Sequence, residues 1–264
     1  MFLSILAHTL AVALLTVLTQ VGGVVYLLAL LVGRRLRRRY RLLTFAGGYL
    51  AVTLLVVPLL APRLGRVALP ISGALRPLTA WTCLLNRHYV RPRLRDAAAA
   101  VAEEVRRDFP GTTTHYLDAN FPFADGFPLW PHRSHSDGRR LDLAFYYTRD
   151  GMATDEAPSV IGYGASLAPE AGEVDYATIC TERGYWPYAL MSRWYEAVAG
   201  GSALRVDEAK TAAMVRSWLR GAGLRKLFVE PHLKARWGLD GEEKVRFHGC
   251  AAVRHDDHVH VEGW

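Results

Sequence analysis

The chain has 264 residues, a formal net charge of +7 and a hydrophobic fraction of 51%, with a sequence pI of about 9.5 and a mean hydropathy of +0.07. The positive charge lies at one end, because residues 1–95 contain 13 arginines and no acidic residue, so residues 96–264 must carry a net charge of −6 to give the total of +7. A nucleic-acid-binding domain needs a basic face of its own, and the composition therefore argues against nucleic acid as a partner.

Two long apolar segments open the chain. Residues 1–33 and 42–62 carry no charged side chain, and residues 34–41 between them hold six arginines. Each apolar segment is long enough to cross a hydrocarbon core as a helix, which takes roughly 20 residues. The start lacks the basic region that precedes the apolar run of a signal peptide. We therefore predict that residues 1–62 are a membrane anchor with spans at about 5–33 and 42–62.

The arginine cluster predicts the orientation of this anchor. Short cytoplasmic loops are enriched in arginine and lysine, so the loop at residues 34–41 is expected on the cytoplasmic side. Two spans then place both ends of the chain on the outer side of the membrane, together with everything that follows the second span.

Residues 63–95 are predicted to be a basic juxtamembrane connector, interrupted by prolines. Trp81 and Tyr89 would suit a membrane surface, where aromatic rings and arginines are both favoured. A plain linker explains the same composition equally well, so both interpretations stay open.

The three cysteines allow at most one internal disulfide. Cys180 and Cys250 could pair in an oxidising compartment, but the sequence does not establish the bond. The chain has no CxxC pair, so the sequence does not support a zinc site built from thiolates.

Residues 96–264 have the pattern of an α+β domain, with a small antiparallel sheet and flanking helices. Alanine-rich and mixed-charge stretches predict helices at 94–109 and 206–223. Aromatic and aliphatic residues in alternation predict strands at 141–147 and 224–231. A last strand is predicted from Asp257 onward.

Five of the ten histidines lie in two short stretches more than a hundred residues apart, PHRSHSDGRRLDL and VRHDDHVHVE. Side chains alternate between the two faces of a strand. Asp142, Ala144 and Tyr146 are therefore expected to share one face, and His258 and His260 to share a face of the last strand. A turn at Gly138 would return His135 to the side of Asp142.

Two histidines and one carboxylate, with one position left open, are a usual ligand set of a catalytic zinc site. We predict that His135, Asp142 and His260 bind one Zn²⁺ ion. His258 would then lie beside the metal and take a proton from the bound water. Either motif alone can arise by chance or belong to a solvated charged segment. Because both motifs lie on predicted strands, the two together favour metal binding.

The pattern S-H-x-x-G-x-x-x-D followed by D-H-x-H resembles the LAS-type zinc peptidases, the group of lysostaphin, the D-Ala-D-Ala peptidases and the hedgehog signalling domain. It is most similar to the penicillin-insensitive murein endopeptidases. The resemblance rests on WPHRSHSDGRRLDL, LRKLFVEPHLK and KVRFHGCAAVRHDDHVHV. It implies that His132 and His255 lie near the metal, where a protonated imidazole would stabilise an oxyanion. Arg140 departs from the pattern, since relatives have a small or acidic residue there, and is expected to alter the substrate cleft.

The resemblance implies a zinc metallopeptidase that hydrolyses the peptide crosslinks of peptidoglycan. With the anchor, it predicts an enzyme of the bacterial inner (cytoplasmic) membrane whose domain faces the periplasm or the cell exterior. The expected partners are peptidoglycan peptides and the lipid bilayer, and no protein partner is predicted. The alternatives are a D,D-carboxypeptidase, a catalytically silent module that binds metal or wall, and a zinc hydrolase with another substrate facing the cytoplasm.

Further residues receive weaker assignments. Asp256 and Asp257 are expected to orient the histidines, Glu230 and His232 to be structural, and His115 and His248 have no assigned role. Four aromatic or basic residues are expected either to pack in the core or to line a groove for a sugar or a peptide: Arg183, Tyr185, Trp186 and Tyr188.

Overall fold

The computed structural model describes residues 2–33, 38–186, 188, 190, 197 and 203–264. The apolar part begins with helices α1 (Phe2–Thr19) and α2 (Gly22–Val32) and continues with α3 (Arg38–Ala51). A π-helical turn (Val52–Val56), α4 (Val57–Leu60) and a 3-10 turn (Ala61–Leu64) extend α3 without a break.

Residues 5–33 were predicted as one membrane span, whereas the structure divides this segment into α1 and α2, which fold back on each other. Gln20 adopts a left-handed backbone conformation, with φ of 67°, and α2 then runs antiparallel to α1. The two helices approach closely at Gly23, where a Cβ would lie 2.0 Å from Thr16 Oγ1. His8 near the chain start bonds Tyr26 in α2 at 2.8 Å. The chain start therefore lies at the same end of the hairpin as Gly33, and not beside the domain.

Within the described part of the chain, one helix is long and apolar enough to cross a membrane, and it covers Tyr40–Leu64. This helix contains the predicted span at 42–62. Residues 34–37 of the predicted cytoplasmic loop lie outside the described residues, and residues 38–41 form the first turn of α3.

The rest of the described chain is a mixture of short strands and helices. The strands are β1 (Val67–Ala68), β2 (Leu75–Pro77), β3 (Tyr89–Val90), β4 (Thr114–Tyr116), β5 (Arg140–Ala144), β6 (Tyr147–Arg149), β7 (Met152–Thr154), β8 (Arg205–Val206), β9 (Leu224–Phe228), β10 (Val245–Arg246) and β11 (His258–Gly263). The helices are α5 (Ala80–Leu84), α6 (Pro92–Asp108), α7 (Tyr176–Glu182), α8 (Glu208–Arg220) and α9 (Pro231–Arg236).

Among the described residues, the largest sheet has six strands in the order β10-β9-β11-β5-β4-β2. The four inner strands are antiparallel, as predicted, whereas each edge strand pairs in parallel with its neighbour. The expected mixture of helices and a small sheet is thus present. The parallel edges were not predicted, because β2 and β10 are too short to show a hydrophobic period.

Helix α6 illustrates how the sequence directs packing. Pro92 starts the helix, where its missing N–H has no cost. After the helix ends, the chain reverses at Gly111, with φ of +81°. Its buried residues recur at helical spacing and face the sheet and α8: Leu94, Ala98, Val101, Ala102 and Val105. The opposite side of the inner strands is left for the histidines.

Two features of the domain differ from the expectations. Strand β5 ends at Ala144, and Tyr146 packs in the core with its hydroxyl 2.6 Å from Thr114 Oγ1 instead of sharing a face with Asp142. Strand β2 lies inside the predicted connector at residues 63–95 and pairs with β4. This part of the connector is therefore built into the sheet.

Candidate metal centre

The pairing of β5 with β11 brings the two histidine-rich stretches together. The antiparallel register places His260 opposite Asp142 and His258 opposite Ala144. Leu143 and Val259 project to the other side and belong to the hydrophobic core. Strand alternation therefore turns the polar side chains of both strands toward one buried site.

Three donor atoms converge in this site, as the predicted ligand set requires. His135 Nε2 lies 3.2 Å from Asp142 Oδ1 and 3.1 Å from His260 Nδ1, and His260 Nδ1 lies 2.9 Å from Asp142 Oδ1. All three side chains are fully buried. Ligands bound tetrahedrally at about 2.0–2.2 Å are separated from one another by roughly 3.3 Å, so the spacing suits a metal ion.

The hydrogen-bond partner of His135 supports this interpretation. Its Nδ1 contacts the carbonyl oxygen of Ala119, which can only accept a hydrogen bond, so the ring proton must be on Nδ1. His135 Nε2 faces Asp142 Oδ1 at 3.2 Å. With its proton on Nδ1, the ring offers the Nε2 lone pair to a metal ion between these two atoms. The donor chemistry therefore fits a metal ion.

Asp142 uses its two oxygens differently. Oδ2 accepts a hydrogen bond from Tyr163 at 2.8 Å and lies 2.5 Å from His132 Nδ1. Oδ1 faces His135 and His260. His132, His135 and Asp142 also form a group whose donor atoms could hold a metal ion. We prefer the set with His260, because the oxygen next to His132 already receives the tyrosine proton.

His258 is held beside the three donor atoms by Asp257. Its Nδ1 lies 2.6 Å from Asp257 Oδ1, and Asp257 Oδ2 accepts the backbone N–H of Gly164 at 2.8 Å. His258 Nε2 lies 3.7 Å from Asp142 Oδ1. Burial disfavours the charged ring, but the carboxylates of Asp142 and Asp257 more than offset this effect and raise the pKa of His258 to about 9. The residue can therefore hold and exchange a proton.

Two other histidines surround the centre without approaching its donor atoms as closely. The ring of His255 lies 5.0 Å from that of His258 and 5.4 Å from that of His260, and His248 stacks on Phe228 at 4.2 Å. Burial and then the neighbouring imidazoles lower the pKa of His255 well below its usual value. This direction argues against a protonated His255 that stabilises an oxyanion.

The carboxylates around His255 are structural. Glu230 accepts the backbone N–H of His255 at 3.0 Å and the hydroxyl of Tyr188 at 2.7 Å. Asp256 forms an ion pair with Arg254. Burial raises the pKa of Asp256 to about 8 despite Arg254, with Asp257 adding to the effect. Asp257 therefore orients a histidine as predicted, whereas the ion-pair partner of Asp256 is Arg254.

A cleft of about 700 Å³ adjoins the centre. Its lining includes His132, His248, Tyr185 and Tyr188, so two of the four residues with a possible groove role face it. Tyr188 is buried, and its hydroxyl is committed to Glu230. Arg183 and Trp186 are exposed and do not belong to this lining.

Three further predicted residues lie away from the donor atoms. Arg140 pairs with Asp137 at 2.6 Å and contacts Glu262 at 3.2 Å, so it is held against the sheet and does not line the cleft. His232 Nε2 donates to the carbonyl oxygen of Leu167 at 2.8 Å, which is the structural role expected for it. His115 pairs with Asp155 at 3.0 Å.

Cys180 and Cys250 form a disulfide with Cα atoms 5.3 Å apart. The bond joins α7 to the loop that precedes β11, and Cys250 lines the cleft. The pairing that the sequence left open is therefore present.

Sequence reasoning missed the residues that hold the centre from outside. Tyr163 lies in an irregular segment, and nothing in its surroundings marks it as a partner of Asp142. Asn120 joins the first histidine-rich stretch to the sheet through two side-chain hydrogen bonds, from Gly138 N at 3.0 Å and to Arg140 O at 2.7 Å. Such contacts between distant residues have no local sequence pattern.

No protein-family model matches the chain, and no curated protein sequence matches it. The description of the centre therefore rests on its own geometry.

Proposed function

We propose that the protein is a membrane-anchored zinc metallopeptidase that hydrolyses peptide bonds of bacterial peptidoglycan. The observation that carries this proposal is the convergence of His135 Nε2, Asp142 Oδ1 and His260 Nδ1 within 2.9–3.2 Å, beside the Asp257–His258 pair. Two histidines, one carboxylate and an open position are typical of catalytic zinc.

When bound, Zn²⁺ supplies a water of lowered pKa and polarises a carbonyl oxygen. His258 Nε2 would accept a proton from the attacking water and would later donate it to the leaving amine. Asp257 keeps the ring oriented through Nδ1. The negative charge of Asp142 contributes to the raised pKa of His258. A metal ion bound to Asp142 would offset this charge and so favour the neutral imidazole that a general base requires.

Peptidoglycan is proposed as the substrate because of the resemblance to murein endopeptidases. The lining of the cleft beside His132 supports this choice of substrate. The cleft is lined by two tyrosines, Arg133 and a run of small residues at 250–253. Such a surface suits short peptides with small side chains and carboxylates. A D,D-carboxypeptidase would use the same centre, and the products distinguish the two activities.

We propose that the domain faces the periplasm or the exterior and that Tyr40–Leu64 crosses the inner membrane. The Cys180–Cys250 disulfide supports this location, since disulfides persist in oxidising compartments. The α1–α2 hairpin brings the chain start to the same end as Gly33, so this proposal has one span, Tyr40–Leu64, where the sequence predicted two.

Digestion of purified peptidoglycan by the detergent-solubilised full chain tests the activity. Mass spectrometry should detect cleaved crosslinks that disappear with a chelator and return with Zn²⁺. His258→Ala should retain zinc and lose hydrolysis by about 10²–10⁴-fold, whereas His260→Ala should lose both. A zinc-loaded wild-type protein that leaves crosslinks intact would overturn the proposal, and release of terminal D-alanine alone would identify a carboxypeptidase.

The proposed location is tested by trapping thiols with an alkylating reagent in intact cells before extraction. A domain outside the cytoplasm should be isolated with Cys180 and Cys250 joined and Cys83 as the alkylatable thiol after denaturation. Recovery of Cys180 and Cys250 as free thiols would argue for a cytoplasmic domain.

A further inference from the structure

Arg66 is a buried cation at the junction between the apolar helix and the domain. The helix ends at Leu64, and Arg66 is the second residue after it, with none of its surface exposed. Its guanidinium contacts the carbonyl oxygens of Phe121, Ala124 and Ser136 and the carboxylate of Asp125. A buried charge persists only where such acceptors replace water.

The partners of Arg66 belong to the two segments that enclose His135. Ser136 directly follows His135, and its carbonyl oxygen lies 3.1 Å from the Arg66 guanidinium. Phe121 lies two residues after Ala119, whose carbonyl oxygen accepts the Nδ1 proton of His135. One guanidinium therefore ties together the segment that carries the ligand and the segment that selects its tautomer.

A second arginine repeats this arrangement beside the first. Arg91 binds the other carboxylate oxygen of Asp125 at 2.6 Å and the carbonyl oxygen of Asp137 at 3.1 Å, and its backbone N–H donates to Gly138 at 2.7 Å. Gly138 has φ of +81°, and a Cβ there would lie 3.2 Å from Arg66 Nε and 3.2 Å from Arg91 Cγ. The glycine within the first histidine motif thus leaves room for both arginines.

Contacts with the end of the helix also hold Arg66 in place. Gly65 adopts φ of +74° and ends the helix, and the backbone N–H of Arg66 donates to Ala61 O at 3.0 Å and so caps the final turn. Ala61 packs with Val21 of the α1–α2 turn in a small apolar cluster. In the same junction, Gln20 accepts the backbone N–H of Phe123 at 3.0 Å. The end of the membrane helix, the α1–α2 turn and the two segments that enclose His135 thus meet at this junction.

We propose that Arg66 is a positioning residue that couples the end of the membrane helix to the metal ligand His135. The metal affinity of the centre then depends on residues that follow the membrane helix, and not on residues 96–264 alone. The inference rests on the metal-binding part of the proposed function and is independent of the substrate. Arg66 touches neither metal nor substrate and acts through the two segments that it joins.

The test uses the full chain in detergent, with Co²⁺ as the probe ion, because its visible absorption reports ligand geometry. Arg66→Ala should weaken Co²⁺ affinity, measured by chelator competition, by roughly 10–100-fold, the range found for residues that hold ligands in place, and should change the absorption band. Arg66→Lys should restore part of the affinity, since a lysine has three donors but not the planar fork. Arg63→Ala is the matched control, because Arg63 is exposed in the same final turn.

Three outcomes separate the two proposals. Wild-type protein that binds no Co²⁺ would overturn the metal centre itself. Arg66→Ala with the affinity and spectrum of Arg63→Ala would overturn the positioning role and leave the proposed function intact. If Arg66→Ala does not unfold cooperatively, Asp125→Asn decides, because that side chain is 56% exposed and bridges both arginines. Unchanged Co²⁺ affinity and spectrum in that variant would refute the coupling.

Discussion

The two halves of the metal centre are built in different ways. His258 and His260 project from β11, an inner strand paired on both sides, with cross-strand partners on β5 and β9. His132 and His135 lie in a segment without regular secondary structure between β4 and β5. Backbone ladders hold the strand half, whereas the loop half depends on side chains from distant parts of the chain, including Asn120 and Arg66.

This difference affects how each half tolerates change. A strand residue keeps its direction as long as the register is kept, because the register of an inner strand involves many backbone hydrogen bonds. A loop ligand keeps its position only while each individual contact is present.

Loss of a ligand from either half should abolish stoichiometric metal binding. We expect His135→Ala and His260→Ala each to weaken Zn²⁺ affinity by more than the roughly 10–100-fold that outer partners contribute. Metal content after gel filtration measures this effect, and His115→Ala is the control, since His115 pairs with Asp155 instead. If His132→Ala loses the metal while His260→Ala keeps it, the alternative group of His132, His135 and Asp142 is the true ligand set.

Tyr163→Phe should weaken the centre without removing a ligand. The change deletes the hydroxyl that donates to Asp142 Oδ2 at 2.8 Å and leaves the ring in place. We expect a loss of about 10–100-fold in metal affinity or hydrolysis. Tyr176→Phe, in a tyrosine that packs on Phe247, serves as the control. Equal Zn²⁺ affinity and equal hydrolysis in the two variants would show that Asp142 does not need this bond.

Asn120→Ala should loosen the loop half alone. It removes the hydrogen bonds to Gly138 and Arg140 and should lower the free energy of unfolding by about 1–3 kcal/mol, because buried groups lose their partners. Hydrogen exchange should accelerate at residues 132–139 and stay slow in β11. An equal loss of protection in both segments would contradict the distinction between the halves.

The strand half could be predicted from sequence because its information is local. His258 and His260 alternate with Val259 and Val261, and that alternation alone predicts a strand with both histidines on one face. The same holds for α6 and α8, whose alanine-rich and mixed-charge stretches predict helices, and for the apolar run at 42–62 within the helix Tyr40–Leu64. In each case a few neighbouring residues carry the whole signal.

Other features could not be predicted, because they depend on contacts between residues far apart in sequence. Residues 5–33 have the length and composition of one span, but packing at Gly22 and Gly23 and the left-handed Gln20 divide them into a hairpin. Tyr163 becomes a partner of Asp142 only after the chain has folded.

From residue order alone, the sequence determined strands β5, β9 and β11, the main helices and which side chains could meet at the centre. Only the tertiary structure decided the hydrogen-bond partner of His135, the bonding of each Asp142 oxygen and the burial of Arg66 behind the loop. The physical reason is that periodicity specifies which face a side chain occupies, whereas hydrogen-bond partners depend on the packing of the whole chain.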